Sequence, residues 1–200
     1  MIKKLKIIIL LLLSINCKAQ TPIINLEDKD GSRLNGAYYK DTDNVFNNYE
    51  GVWEYSNGLD TLKIELRKIT FQFLGRYYED VLVGEIKYVK NGVEKANTLS
   101  EINANYGKEK RHTISGNTIL TSPQRLNCTD CAPGEKRVYL GFKDPNPSVG
   151  RAGYIIFKKT TVANQEAIKI FIGYAGVRKR DGEIIPETTI PYGWYTLIKQ

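Results

Sequence analysis

Histidine occurs once in 200 residues, as His112, and cysteine three times. A Ser-His-Asp or Cys-His mechanism would have to pass through that one imidazole. His112 lies in "GKEKRHTIS", a charged stretch at a strand start with no nucleophile turn beside it, so it reads as a surface histidine. A closed zinc site needs four ligands, and Cys128, Cys131 and one distant histidine supply at most three. Both glycine-rich phosphate motifs, G-x-x-x-x-G-K-[ST] and G-x-G-x-x-G, are missing. No metal and no cofactor is expected. Helical periodicity is also lacking, apart from a single turn within Thr98–Ala104, and there is no internal repeat.

Only one long apolar run occurs, Ile7–Leu13, behind Lys3, Lys4 and Lys6. It is too short for a stable membrane span and reads as the core of a secretory signal over residues 1–19. Cys17 and Ala19 are small residues at the two positions that signal peptidase reads, which places the new N-terminus at Gln20. Cutting before Cys17 for lipid anchoring is the disfavoured alternative, because Asn16 stands where a small residue is needed. The expected location is the periplasm or the extracellular space. The leader holds four of the 29 basic side chains (Lys3, Lys4, Lys6, Lys18) and none of the 22 acids, so the charge falls from +7 to 25 minus 22, or +3. That balance, with "KEKRH" and Arg178–Arg180 read as solvated faces, argues against a nucleic-acid partner.

Cys128 and Cys131 remain after export. In an oxidising compartment the "CTDC" pair reads as a structural disulfide in a loop, with redox and metal roles as alternatives. Asp28, Asp30, Asp41 and Asp43 lack the glycine that a calcium loop needs, so residues 20–48 read as an irregular, solvated lead-in, in which Ile23, Ile24 and Leu26 either add a short strand or lie along the barrel. Glu79-Asp80 and Asp181/Glu183 read as solvated turn residues.

Most of the remainder is β signal. Leu62, Ile64 and Leu66 alternate with Thr61, Lys63, Glu65 and Arg67; Leu82, Gly84, Ile86 and Tyr88 alternate with Val83, Glu85 and Lys87. Asn91-Gly92 is a strong hairpin signal, and further turns are expected at Ser115–Asn117 and Val162–Gln165. Eight to ten strands with short connections, over residues 49–200, call for a closed antiparallel up-and-down β-barrel, or alternatively a two-sheet β-sandwich. Gly51 lets the first strand bend where another group lies close, and Trp53 can plug the barrel end with Lys199 stacked on it.

"GVWEYSNGLDTLKIEL", with Gly51-x-Trp53, a polar turn and an alternating strand, resembles the opening of the calycins: lipocalins, fatty-acid-binding proteins and avidin-like barrels. The resemblance implies a barrel. No Thr-Asp-Tyr signature and no helix after the last strand accompany it, so no lipocalin ligand chemistry is carried over. More broadly, residues 77–102, "GVWEY" and "PYGWYTLIKQ" look like a family of small exported Gram-negative bacterial proteins of unknown function. That likeness implies export and a β-rich fold, and no activity.

Among 13 tyrosines and two tryptophans, Trp53, Tyr88, Tyr139 and Trp194 are the candidate ligand-binding residues. The expectation is an exported, monomeric, noncatalytic barrel that binds a small apolar or amphipathic ligand or an envelope protein partner. The alternatives are a secreted enzyme using carboxylates or tyrosines, and a structural interaction module of the envelope.

Overall fold

The alternating strands roll into a single closed wall. The structure, a computed structural model, describes residues 21–29, 31–107, 111–121, 130–149, 152–175 and 186–200. The leader with Cys17, and Asp30, Cys128, Arg178–Arg180, Asp181 and Glu183, lie outside the described residues. Eleven strands are present among the described residues: β1 (Ile23–Asn25), β2 (Tyr38–Lys40), β3 (Gly51–Asn57), β4 (Asp60–Phe73), β5 (Tyr78–Lys90), β6 (Val93–Asn97), β7 (Ile114–Leu120), β8 (Arg137–Lys143), β9 (Ala152–Val162), β10 (Gln165–Tyr174) and β11 (Gly193–Lys199). Omitting β1, β2 and β6, the eight others pair antiparallel in chain order, and β11 returns to β3 with Lys199 opposite Trp53. The fold is an all-β, up-and-down closed barrel of the calycin kind, not a sandwich. Closure leaves its strands no free edge.

Strand β5 organises the wall. One edge pairs along β4; the other is shared in succession by β2 at Tyr38–Tyr39, β7 at Ile114–Gly116 and β6 at Val93–Asn97. Asn91 and Gly92 both have positive φ, 52° and 73°, so the β5–β6 hairpin uses a type I′ turn. Ala163 and Asn164 do the same between β9 and β10. The expected turn at Ser115–Asn117 is instead a bulge inside β7. The strand runs through it, the β7–β8 register slips between Ser115 and Thr118, and Gly116 takes φ +152°.

Residues 21–48 differ from the solvated lead-in. They supply β1 and β2, which add in parallel to the end of β5, and a 3₁₀ turn at Phe46–Asn48. Leu26, Ala37, Tyr39, Val45 and Phe46 join the main core. Buried Asp41 explains the turn: its carboxylate accepts from the Val45 and Phe46 amides at 2.8 and 2.9 Å, and from Lys68 Nζ at 3.0 Å. Asp80, expected in a turn, is also buried and accepts from the Tyr38 hydroxyl and from the Asp41 and Phe71 amides. Neighbouring Glu79 is buried against Arg33 and Asn117. Both acids are internal acceptors that tie the lead-in to the barrel, because leaving those donors unmet under cover would be unfavourable.

Leu62, Ile64, Ile114, Leu140, Ile155, Phe157, Ile168, Ile170 and Leu197 fill the lumen with no accessible surface. Side chains lining a water-sized void would expose area to it, so the centre of the barrel is packed rather than hollow. Gly84 sets the spacing there, since a Cβ would meet Leu66 at 2.6 Å and the Glu65 carbonyl at 2.9 Å.

Candidate functional site

Both ends of the barrel are sealed. At one end Trp53 is fully buried, and its Nε1–H donates to the Tyr49 carbonyl at 2.7 Å. Lys159 and Lys199 lie over its ring, with Nζ 4.8 and 5.3 Å from the centroid. Glu166 bridges the two lysines, 2.8 Å from Lys199. The ammonium of Lys159, then that of Lys199, holds its carboxyl below the ordinary value. Gly51 takes φ +116°, a bend that L side chains rarely adopt, and lies beside Lys199, whose Cε an added Cβ would meet at an ordinary 3.5 Å; the backbone conformation, not the space, calls for glycine. At the other end Ile190 enters the core. Asp144 fixes the segment carrying it by accepting from the Thr189 amide and hydroxyl at 2.9 and 2.5 Å. The Tyr174 hydroxyl lies 3.0 Å from both Asp144 and the Ile190 carbonyl, and burial with Asp144 beside it pushes that phenol up.

The four candidate ligand residues do not meet. Trp53 and Tyr88 belong to the buried core, while Tyr139 and Trp194 are on the outer wall. Tyr139 is instead one of a row of rings that crosses β8, β9, β10 and β11. Tyr139 and Tyr154 are 5.5 Å apart, Tyr154 and Phe171 6.1 Å, and Phe171 and Trp194 5.0 Å. The row is built by register. Tyr154 stands opposite Gly141 on one side and Gly173 on the other, and its ring covers Gly173 so closely that a Cβ there would come within 2.3 Å. Trp194 is 47% exposed, with Lys169 Nζ 4.9 Å from its ring. Beside the row a groove of about 580 Å³ is lined by Tyr154, Phe171, Tyr174, Pro191 and Tyr192, with Lys90, Glu187 and Thr188 as polar partners.

His112 is not on the surface. It is 2% exposed, and its Nδ1 lies 2.8 Å from Oε1 of the fully buried Glu85. Thr113 donates its hydroxyl to the other carboxylate oxygen at 2.6 Å, and Thr98 stands 3.1 Å behind Thr113. The Tyr106 ring meets the imidazole edge-on at 5.1 Å. His112, Tyr106, Asn103, Asn105 and Arg67 line a pocket of about 390 Å³ between β4 and the segment after β6.

Residues 1–200 match the family of unknown function DUF6705. The chain belongs to that family. No curated protein and no solved structure matches it. Membership places the chain among proteins of unknown function and carries no activity with it.

Sequence reasoning missed Glu85, Arg67 and the true setting of His112. A signal was present. The run Val81-Leu82-Val83 in β5 breaks the alternation, and continuous apolar residues mark a strand buried on both faces. A covered outer face of β5 puts Glu85 under cover, where it needs a partner.

Proposed function

We propose that this is an exported, noncatalytic barrel that binds an amphipathic ligand on its outer wall, in the groove beside Tyr154, Phe171 and Trp194. The carrying observation is the row of rings on the outside of a barrel whose lumen is full. A ligand with a flat apolar face and hydroxylated edges, such as a sugar chain, stacks on such rings. Lys90, Glu187, Thr188 and Lys169 stand ready for its polar edges. Export with Gln20 as first residue would expose this wall to envelope or extracellular glycans. A Cys128–Cys131 disulfide belongs to the same reading, as a staple of the loop before β8.

Trp194 reports on this wall through Phe171, a groove residue 5.0 Å from its ring, while Trp53 is sealed in the core. Soluble oligosaccharides should change its fluorescence saturably and protect it from acrylamide. The variant Trp194→Ala should weaken binding about tenfold, a typical loss for an aromatic anchor. A fatty acid that competes would shift the ligand class toward lipids. If neither class alters Trp194, or if Trp194→Ala binds as well as the parent, the reading fails.

A further inference from the structure

The buried Glu85–His112 pair has features that a purely structural polar cluster would not need. Glu85 accepts from the Thr113 hydroxyl at 2.6 Å and the Thr113 amide at 3.4 Å, and it faces His112 Nδ1 at 2.8 Å. A carboxylate only accepts, so Nδ1 carries the hydrogen and the ring is held in one orientation. That leaves Nε2, for which no described residue is a hydrogen-bond partner, in a side chain that lines a pocket of about 390 Å³. Arg67 lines the same pocket. Its Nη1 donates to Asn103 at 3.3 Å, and its Nε is buried without a hydrogen-bond partner among the described residues. A guanidinium has five N–H groups, so most of this donor capacity is unspent.

Other charged groups surround the pair. Glu65 stands directly across from Glu85 on β4, and that like-charge pairing is unfavourable unless cations attend it. Glu101 is taken by the Tyr106 hydroxyl at 2.6 Å, and Arg111 lies close enough to Tyr106 to act on it. Lys68 borders the pocket, but its Nζ is held by Asp41 and Asn47. The donors that remain among the described residues of the pocket include those of Arg67 and the side-chain amides of Asn103 and Asn105, and the imidazole adds an Nε2–H when both its nitrogens are protonated.

We propose that this pocket binds a small oxyanion, a carboxylate or a phosphate monoester, held between the Arg67 guanidinium and the His112 imidazolium, whose Nδ1–H donates to Glu85 while its Nε2–H donates to the anion. Guanidinium forks match planar and tetrahedral oxyanions alike, and a charge-assisted bond is about twice as strong as a neutral one. Thr98, Thr113 and Glu85 are positioning residues that fix the imidazole. The site is separate from the outer aromatic groove and does not depend on it.

A single histidine makes the test direct. Tag-free mature protein gives one set of imidazole resonances, all from His112. Inorganic phosphate and acetate are titrated separately at constant ionic strength, with the His112 ring followed by ¹H–¹⁵N and ¹H–¹³C spectra. Saturable movement of the ring signals with either anion is the expected result; the anion that saturates at lower concentration identifies the oxyanion class. Arg67→Gln should raise the apparent Kd at least tenfold, and Glu85→Gln should raise it too while altering the tautomer signature of the free ring. Trp194→Phe should change nothing. Backbone spectra show whether each variant stays folded, and the parent titration stands without them. Linear, unsaturable shifts with both anions would overturn the proposal, as would a folded Arg67→Gln that binds like the parent.

Discussion

Replacing Trp53 by Phe keeps a ring in the barrel plug and removes one donor. The indole N–H meets the Tyr49 carbonyl at 2.7 Å with no solvent nearby. An orphaned buried carbonyl costs about 1–3 kcal/mol. A smaller ring leaves a void that adds on the order of 1 kcal/mol. Lys159 and Lys199 lose the better π face, a further loss of about 0.5 kcal/mol. The expected total is about 2.5–4.5 kcal/mol, so Tm should fall by roughly 5–18 °C for a chain of this size. Trp194→Phe is the matched control. The same chemistry on a half-exposed outer ring should change stability by less than about 0.5 kcal/mol. Urea denaturation followed by far-UV circular dichroism gives both values without relying on tryptophan emission. If the two variants lie within about 0.5 kcal/mol of each other, the plug reasoning behind Gly51-x-Trp53 is wrong.

Further outcomes are expected. Asp41→Asn should destabilise by about 3 kcal/mol or more, because it leaves the nearly buried Lys68 ammonium without its carboxylate; a urea midpoint shift worth less than about 1 kcal/mol would refute this, and adding Lys68→Met should recover part of the loss. Burial raises Tyr195 to about 12 and pushes Tyr38, Tyr49 and Tyr174 up from the ordinary value near 10. Raised folded values mean stability that is full below pH 10 and lost as pH climbs through the folded range. Tyrosinate absorbance should therefore rise partly in step with unfolding above pH 10, and a smooth titration of all thirteen phenols near 10 in a folded chain would contradict the burial. Serine at both Cys128 and Cys131 should lower stability by about 1–3 kcal/mol, the low end for a short loop. Two titratable thiols in the unreduced mature protein would remove that disulfide.

Legibility followed the solvent. Where one face of a strand meets water, as in Thr61–Arg67 or Arg137–Lys143, alternation identifies the strand and its inward face. Turn chemistry did as well at Asn91-Gly92, because positive φ at two successive residues leaves few alternatives. Failures came where both faces are covered or where a polar residue has an internal partner. Asp41, Glu79, Asp80 and His112 read as surface residues because burial of a polar group depends on partners far away in sequence: the donors Lys68 for Asp41 and Tyr38 for Asp80, and the acceptor Glu85 for His112. The Ser115–Asn117 bulge failed for a related reason. Glycine flanked by Ser and Asn suits a turn or a bulge, and only the partner strand decides. As for the aromatic row, the sequence contains its rings, but the diagonal that joins them is a property of the β8–β11 register.

A full lumen also bears on where a ligand can go. Opening the interior would separate side chains packed on every strand, beginning where Gly84 brings β4 and β5 so close that a Cβ would clash. Each exposed core residue would cost about 1.5–3 kcal/mol, and the closed hydrogen-bond ring resists local widening. The outer wall carries no such penalty. Over β8–β11 the glycines opposite Tyr154 let large rings lie on the sheet without disturbing the core. Over β4 the segment after β6 forms the other wall of the histidine pocket, while β5 keeps its pairing to β4 and β7. Both candidate sites are therefore on the outside of a barrel whose interior supplies rigidity, and substitutions in either should alter binding with little change in the stability of the core. Stability and binding measured together on Trp194→Ala and Arg67→Gln test that separation. Loss of both properties in step would show that the outer wall is part of the core's support rather than a surface free to bind.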